Sequence, residues 1–593
     1  MEYTFVEGSL SSVLESFEKY TTVGLDLETT GLNPIDSRIL LCQLAFEGGE
    51  AFVIDARKVD LSPLVPFFAN KKWTKVIHNA KFEAKFLLHY YGVRFSGIFD
   101  TYLAEQVLIP GGSRNGLDDV ALKYTGVVLD KSVRKSFFDM RPERVFTKEQ
   151  LDYAADDATV MFGIKNEQTK LLLEANLMHI AQLEFDVAPI VAEMEETGIP
   201  ILKDKWKKIL AEYVESYEQS SQRMYSLLFD ETTLAEQIGM FERAPINLRS
   251  PKQLLEAMQK IGIDIKTTNE SDIAKIDHPV AKELLVLREK QKVIDTYGET
   301  FLAKIHPFTG RIHPDFNQVG TETGRFSCRE PNVQQIPPEF RACVGDPENY
   351  SIVVADYGQF ELRVLAEFSK DRALIKAFQS GADPHKATAS LMFRVPLDSV
   401  TKDQRYLAKT LNFGMVYGMG ARKLMDTLNE KIAVEKDKIG ITKARQLLNL
   451  YKETYSTAIR WIEAEGNVAL RTGSVKTLYG RKRYFNRPKF IDQESYDKQV
   501  GAIRRAGANA PIQGSNADIT KLAMIKIYDE LNTYFSGAKI IIQVHDEIVV
   551  LAQKSQAEAV KDLVVDAMIK AAETLIKAVP ITVDAGIHED WEK

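Results

Sequence analysis

The chain has 593 residues, 45% hydrophobic and 27% charged, with a formal net charge of -7; a single core stops growing at roughly 250–300 residues, so this length implies several domains of a soluble globular protein. No apolar run reaches the roughly 18–20 residues of a membrane span, and the acidic start MEYTFVEGSLSSVLESFEKY lacks the basic and apolar regions of a signal peptide. Cys42, Cys328 and Cys343 are too scattered for a disulfide framework or a zinc site, so the expected location is the cytoplasm.

Residues 1 to about 180 alternate short strands (Thr22 to Leu27, Leu40 to Phe46, Ala51 to Asp55) with helical stretches such as Asn79 to Tyr91, the pattern of an α/β domain. In TVGLDLETTGL, Val23, Leu25 and Leu27 face one way while Asp26 and Glu28 face the other. Asn79 and Glu83 are four apart, as are Tyr153 and Asp157, so each pair is expected on one helix face. Solvent-facing acids are the plain alternative. Taken together, however, Asp26, Glu28, Glu83 and Asp157 suit a pair of divalent ions on a phosphodiester, with the Tyr153 hydroxyl orienting the attacking water. Asp100, in FDTYLA, is expected to be a structural hydrogen-bonding residue rather than a further ligand.

From about Leu183 the periodicity becomes helical and long, continuing through the charged segment Pro279 to Ile305, and predicts an elongated helical arm. Ser250 caps one helix, Pro251 takes its first position, Gln253 is expected to complete a capping box, and Gly262 ends it. Strand-like runs return at 351–357 and 539–550 and enclose a mainly helical insertion from about 370 to 485. No linker, low-complexity tract or internal repeat interrupts the chain.

Two apolar runs carry acids. SIVVADYGQFELRVLA (Ser351 to Ala366) contains Asp356, and IIIQVHDEIVV (Ile540 to Val550) reads as a buried strand interrupted by His545, Asp546 and Glu547. An isolated buried carboxylate costs several kcal/mol unless a cation or hydrogen bonds compensate it, which points to a metal or phosphate site with Asp356 and Asp546 side by side. The alternative is a polar turn between two short strands, although no Gly, Pro or Asn is present to make one.

Between these runs, KDQRYLAKTLNFGMVYGMG spaces Arg405, Lys409, Phe413 and Tyr417 four apart; at about 40° of drift per step they form one stripe on a helix. RTGSVKTLYGRKRYFNRPK carries Arg471, Lys476, Arg481, Lys482, Arg483, Arg487 and Lys489 without an acid. Interleaved with Tyr479, Tyr484 and Phe485, it is either a solvated hairpin or a polyanion contact.

The acids on one strand and two helices, in this order, resemble the DEDDy 3′-5′ exonucleases, the proofreading domain of DNA polymerases. ADYGQFELR, KTLNFGMVYG and QVHDE are similar to motifs A, B and C of the family A DNA polymerases, the DNA polymerase I type. TGRFSCREPNVQQIP, DPHKATA and NAPIQGSNAD extend the likeness over nearly the whole chain. The resemblance implies a multidomain α/β and α+β protein, an RNase H-like exonuclease domain followed by a right-hand polymerase. Its expected parts are the exonuclease at 1–182, an N-terminal palm segment and helical thumb at 183–320, palm with motif A at 321–370, fingers at 371–485, and palm with motif C at 486–593. No 5′-nuclease domain is expected.

Carried over by position, the resemblance assigns two Mg²⁺ ions, with Mn²⁺ as a substitute, to each centre: Asp356, the Tyr357 backbone and Asp546 in one, Asp26, Glu28, Glu83 and Asp157 in the other. Glu547 supports the primer end or metal site. Arg405, Lys409 and His385 hold the triphosphate; Phe413, Tyr417, Gln359 and Glu361 shape the nucleotide pocket, Glu361 excluding a ribose 2′-OH. Arg325, Asn332, Gln334, Arg505, Asn509, Gln513 and His545 contact the primer-template. The implied partners are primer-template DNA and dNTPs, with no membrane, a monomeric chain and accessory replication proteins. Three departures stand out: Glu83 replaces an Asp, Gly358 replaces a Ser and is expected to loosen the backbone, and Phe360 replaces an Ile and is expected to enlarge a position beside the nucleotide. A weak exonuclease, or a non-catalytic primer-template binder, are the competing readings; loss of Asp356 or Asp546 would mark the latter, and both are present.

Overall fold

The computed structural model describes residues 2–138, 140–141, 143–229, 246–430 and 438–592. They form two compact units: residues 1–197, 315–329 and 351–587 in the first, and 198–314, 330–350 and 588–593 in the second. No helix among the described residues is long and apolar enough to cross a membrane.

The first unit begins with a six-stranded mixed sheet made of β1 (Thr4–Val6), β2 (Thr22–Thr29), β3 (Ile39–Phe46), β4 (Ala51–Asp55), β5 (Thr74–Ile77) and β6 (Ile98–Asp100), in the order β1-β4-β3-β2-β5-β6. Every residue of β3 is buried, as its continuous apolar sequence requires of a strand covered on both faces. Helix α1 (Lys81–Tyr91) follows β5, α2 (Thr101–Leu108) follows β6, and α3 (Lys148–Glu174) starts from a complete Thr147–Gln150 capping box. Gly24 matters here. A Cβ at this position of β2 would strike the Ala158 carbonyl oxygen, so only glycine lets α3 lie directly on the strand. Asn79 does not share a helix face with Glu83, contrary to expectation: it sits before α1 at φ 70°, because Asp100 pulls the Asn79 and Ala80 amides out of the helical path. The buried helix α4 (Met178–Thr197) ends this segment.

The second unit contains α5 (Lys203–Leu228), α6 (Pro251–Lys260) and α7 (Pro279–Tyr297). Trp206 anchors its base, fully buried and stacked on Phe301 at 4.3 Å. Ser250 caps α6 through the Gln253 amide as expected, but Gln253 returns its side chain to Asn247 N rather than to Ser250 N. The Ser250 amide is already bonded to the Asn247 carbonyl, so the capping box opens outward by three residues. Gly262 turns the chain at φ 87° just past the last turn.

The chain returns to the first unit as β7 (Tyr350–Tyr357), α8 (Phe360–Ser369), α9 (Pro384–Phe393), α10 (Lys402–Val416), the hairpin β8 (Ser474–Lys476) and β9 (Lys482–Tyr484), and the long α11 (Gln493–Tyr534). Strands β10 (Lys539–Val544), β11 (Glu547–Gln553) and β12 (Val583–His588) complete a second sheet in the order β10-β11-β7-β12.

IIIQVHDEIVV is therefore not one interrupted strand. It is a hairpin in which Val544 pairs with Glu547 across a two-residue His545–Asp546 turn. His545 supplies the positive φ such a turn needs, at 56°, and the Gln543 side chain donates to its carbonyl at 2.6 Å. A side-chain bond does here what Gly or Asn does elsewhere.

The basic run is corrected in a similar way. It forms a hairpin, but Arg481 is buried and pairs with Glu184 and Asp518, while Lys521 joins Glu184 from α11. Lys482 donates to the Ala175 carbonyl and Arg483 pairs with Glu322. Those three cations are structural; Arg471, Lys476, Arg487 and Lys489 are exposed.

Candidate active sites

Asp26 and Glu28 project from the same side of β2, and Asp157 meets them from α3, so that each offers an oxygen within 4.8 Å of the others. Desolvation, followed by the Asp157 charge, pushes Asp26 up to about 8. Desolvation raises Asp157 to about 6, and it holds Glu28 and Glu83 well above the ordinary carboxylate range. Glu83 lies outside the trio's mutual 4.8 Å range, yet near enough for the Asp26 charge to act on it. Oxygens of Glu83 and Asp157 are buried with no hydrogen-bond partner. Crowded, undersatisfied carboxylate oxygens fit a hard divalent cation.

Asp100 takes no part in that set. Its carboxylate accepts from the amides of Asn79, Ala80, Tyr102 and Leu103 at 2.8–3.1 Å, which makes it the structural residue expected. Burial, followed by the neighbouring Asp157 charge, pushes the Tyr153 phenol far upward, so it remains a proton donor. Arg134, in the short turn Arg134–Ser136, escaped the sequence reading; its charge favours the ionised forms of Asp26, Glu28, Glu83 and Asp157. A lone cation in a polar loop has no periodic signal by which to be found.

The second centre is built on adjacent strands. Asp356 stands near the end of β7 and Asp546 in the β10–β11 turn, with Tyr357 N 3.4 Å from the Asp546 carbonyl. Burial, then the Asp356 charge, raises Asp546 to about 7. Glu547 is buried at the first position of β11.

Phe360 does not enlarge the nucleotide side. It is buried and stacks on the Tyr357 ring at 4.0 Å, because the first turn of α8 directs it into the core. Gly358 is likewise closely packed rather than loose: its amide donates to Thr582 O, its carbonyl accepts from Arg363, and an added Cβ would lie 2.6 Å from Thr582 Oγ1.

Arg405, Lys409 and Phe413 lie exposed along one face of α10, opposite the buried Leu407 and Leu411, and Tyr417 follows as the capping residue. Arg405 pairs with Asp383 at 2.6 Å. His385, on α9, is buried, its Nδ1 2.9 Å from the Asn412 amide nitrogen, and burial lowers it to about 4. Glu361 accepts from Tyr417 and Arg325. Gln359, at φ 53°, caps α8 and has a buried amide oxygen without a partner. Arg505, Asn509 and Gln513 are four apart on α11, and Asn509 Oδ1 is also unpartnered. Asn332 and Gln334 belong to the second unit, where Asn332 accepts from the Gln334 amide.

The first unit thus carries two separate acidic centres, a trio on β2 and α3 and a pair on neighbouring strands of the second sheet. The profile described as DNA polymerase family A matches residues 214–593, and that described as 3′-5′ exonuclease matches residues 2–173. The chain belongs to DNA polymerase family A. It is similar to the DNA polymerase I of Chloroflexus aurantiacus, 29% identical over 99% of this chain and 62% of that one. It is also similar to the DNA polymerase I of Aquifex aeolicus, 29% identical over 100% of this chain and 99% of that one. The chain thus spans about three fifths of the first relative's length and nearly all of the second's. Among solved structures it resembles the POL domain of Pol1 from M. smegmatis in complex with DNA primer-template and dNTP, with TM-score 0.82, 26% identity, and 99% of each chain covered.

Proposed function

We propose that this chain synthesises DNA on a template from dNTPs and removes mispaired primer ends by 3′-5′ excision. The observation that carries the reading is Asp356 and Asp546 brought together by adjacent strands, in a fold that also presents the exposed cation–aromatic stripe of α10. In this reading residues 1–182 are the exonuclease, 183–320 the thumb and N-terminal palm segment, 321–370 and 486–593 the palm, and 371–485 the fingers.

In synthesis the primer 3′-oxygen forms a bond to the α-phosphorus of a dNTP, the bond to the β-phosphate bridge breaks, and pyrophosphate leaves. Mg²⁺ held by Asp356, Asp546 and the Tyr357 carbonyl would lower the pKa of the 3′-OH and neutralise the leaving group. Arg405 and Lys409 supply positive charge along the triphosphate, and His385 adds a hydrogen-bond donor. Phe413 packs against the incoming nucleotide, Tyr417 lies near the templating base, and Glu361 excludes a 2′-OH. Arg325, Asn332, Gln334, Arg505, Asn509, Gln513 and His545 read the primer-template by shape, leaving sequence to base pairing. In excision, Tyr153 orients a water whose oxygen bonds to the terminal phosphorus as the bond to the preceding nucleotide's 3′-oxygen breaks, and Asp26, Glu28, Glu83 and Asp157 would hold Mg²⁺ to stabilise the developing charge.

The position of Glu83 outside the acidic trio supports a second, narrower reading, in which excision is slow relative to synthesis. The polymerase is read as a monomer in the cytoplasm, working with accessory replication proteins. A labelled primer-template incubated with Mg²⁺, with and without dNTPs, tests both activities: extension only with dNTPs and shortening without them are expected. No extension would overturn the polymerase reading, and no shortening would overturn the exonuclease reading.

A further inference from the structure

A chain of buried polar groups runs behind the α10 stripe. The Tyr455 hydroxyl lies 2.8 Å from Thr388 Oγ1, Asn412 Nδ2 lies 3.0 Å from the same oxygen, and Asn412 Nδ2 lies 2.9 Å from His385 Nδ1. All four side chains are buried. Thr388 has one hydroxyl proton, and the Pro384 carbonyl, which can only accept and lies 2.8 Å away, takes it in preference to Asn412 Oδ1 at 3.3 Å. Thr388 Oγ1 then accepts from both Tyr455 and Asn412, so the second Asn412 amide proton goes to His385 Nδ1. An accepting Nδ1 leaves the proton of a neutral imidazole on Nε2.

We infer that Asn412 is a positioning residue for nucleotide binding, holding His385 as the neutral Nε2–H tautomer so that the ring presents a donor to a phosphate oxygen. The inference rests on the polymerase reading and on His385 facing the triphosphate. Low basicity fits it: burial lowers the imidazole, Arg405 and Lys409 act the same way, and only Asp383 opposes them. His385 therefore contributes a directed hydrogen bond rather than charge, while Arg405 and Lys409 supply the charge. The Phe413 ring, 5.6 Å from that of His385, follows Asn412 directly in sequence, so one turn of α10 sets both the donor and the aromatic surface.

The test uses the full chain and a matched primer-template. Asn412→Leu should raise the dNTP KM by about 10- to 100-fold, the range of a lost hydrogen bond to a charged group, with kcat changed far less. His385→Ala should do the same, and the double variant should be no worse than either alone. Asn412→Asp, which accepts from Nδ1–H and holds an imidazolium that still donates from Nε2, should retain dNTP affinity at low pH and lose it as pH rises. An unchanged KM in Asn412→Leu beside a raised one in His385→Ala overturns the inference alone; an unchanged KM in His385→Ala overturns it together with the assigned role of His385. Nitrogen-15 NMR of the unmodified chain, with His385 assigned by its loss in His385→Gln, gives a measurement independent of variant folding. Protonated Nε2 with bare Nδ1 supports the inference, and the reverse overturns it.

Discussion

The Tyr417 hydroxyl donates to Glu361, 2.8 Å from Oε2 and 2.9 Å from Oε1, while Arg325 holds the same carboxylate at 2.5 Å. Three segments far apart in sequence thus fix one acid, and a charge-assisted bond on each side prevents it from swinging away. Glu361→Ala should raise ribonucleotide incorporation relative to deoxynucleotide. Tyr417→Phe should do so less, since Arg325 remains. Competitive incorporation on a gel measures both; an unchanged ratio in Glu361→Ala would refute the exclusion.

The two acidic centres should be separable. Asp356→Ala is expected to abolish extension and leave single-strand excision intact, and Asp26→Ala to do the reverse. Glu83→Asp should increase the excision rate if the longer side chain is what keeps this carboxylate out of the trio. Rates on single-stranded and primed substrates check all three.

Metal-free stability should fall with rising pH in the window set by the exonuclease acids. Asp26 and Asp157 have folded-state values of about 8 and about 6 against an ordinary 3.8. Between about pH 4 and pH 8 the folded chain therefore keeps protons that the unfolded chain has released, and stability declines as pH rises. A divalent cation bound only by the folded state opposes this, so Mg²⁺ should raise Tm more at pH 8 than at pH 6, and EDTA should cancel the gain. Asp26→Asn should flatten the slope. An equal Mg²⁺ shift in wild type and Asp26→Asn at both pH values would contradict the assignment.

Gly358→Ala should destabilise the protein by about 1–3 kcal/mol, the usual range for overpacking, because the new Cβ meets Thr582 Oγ1, which also accepts from Arg363 at 2.6 Å. Combined with Thr582→Ala, which removes the obstacle, the cost should be less than the sum of the single effects. Denaturant midpoints of the four proteins decide it.

Glu184→Gln should cost about 3–5 kcal/mol, since it leaves Lys521 and part of Arg481 buried without their counter-charge. Burial already lowers Lys521 to about 8, so the loss should be smaller at pH 9, where that lysine is neutral, than at pH 7. Thermal unfolding at the two pH values measures the difference.

Much of both centres was legible along the chain because regular elements convert spacing directly into direction. The alternation of TVGLDLET put Asp26 and Glu28 on one side of a strand, and four-residue steps put Tyr153 with Asp157 and Arg405 with Lys409 and Phe413. Reading failed where a distant group overrode the local pattern. Asp100 pulls Asn79 out of its helix, Gln543 lets His545 turn a hairpin without glycine, and Glu184, from nearly three hundred residues away, converts Arg481 from a surface cation into a buried one.

Local order alone thus settled which residue types were available and which way each faced within its own strand or helix, since backbone periodicity needs no knowledge of the remaining chain. Folding in three dimensions decided their electrostatic state and their company. Desolvation and proximity depend on which elements pack together, and that is why Asp546 near 7, the neutral His385 behind Phe413 and the inward Phe360 emerged only once the strands and helices were assembled.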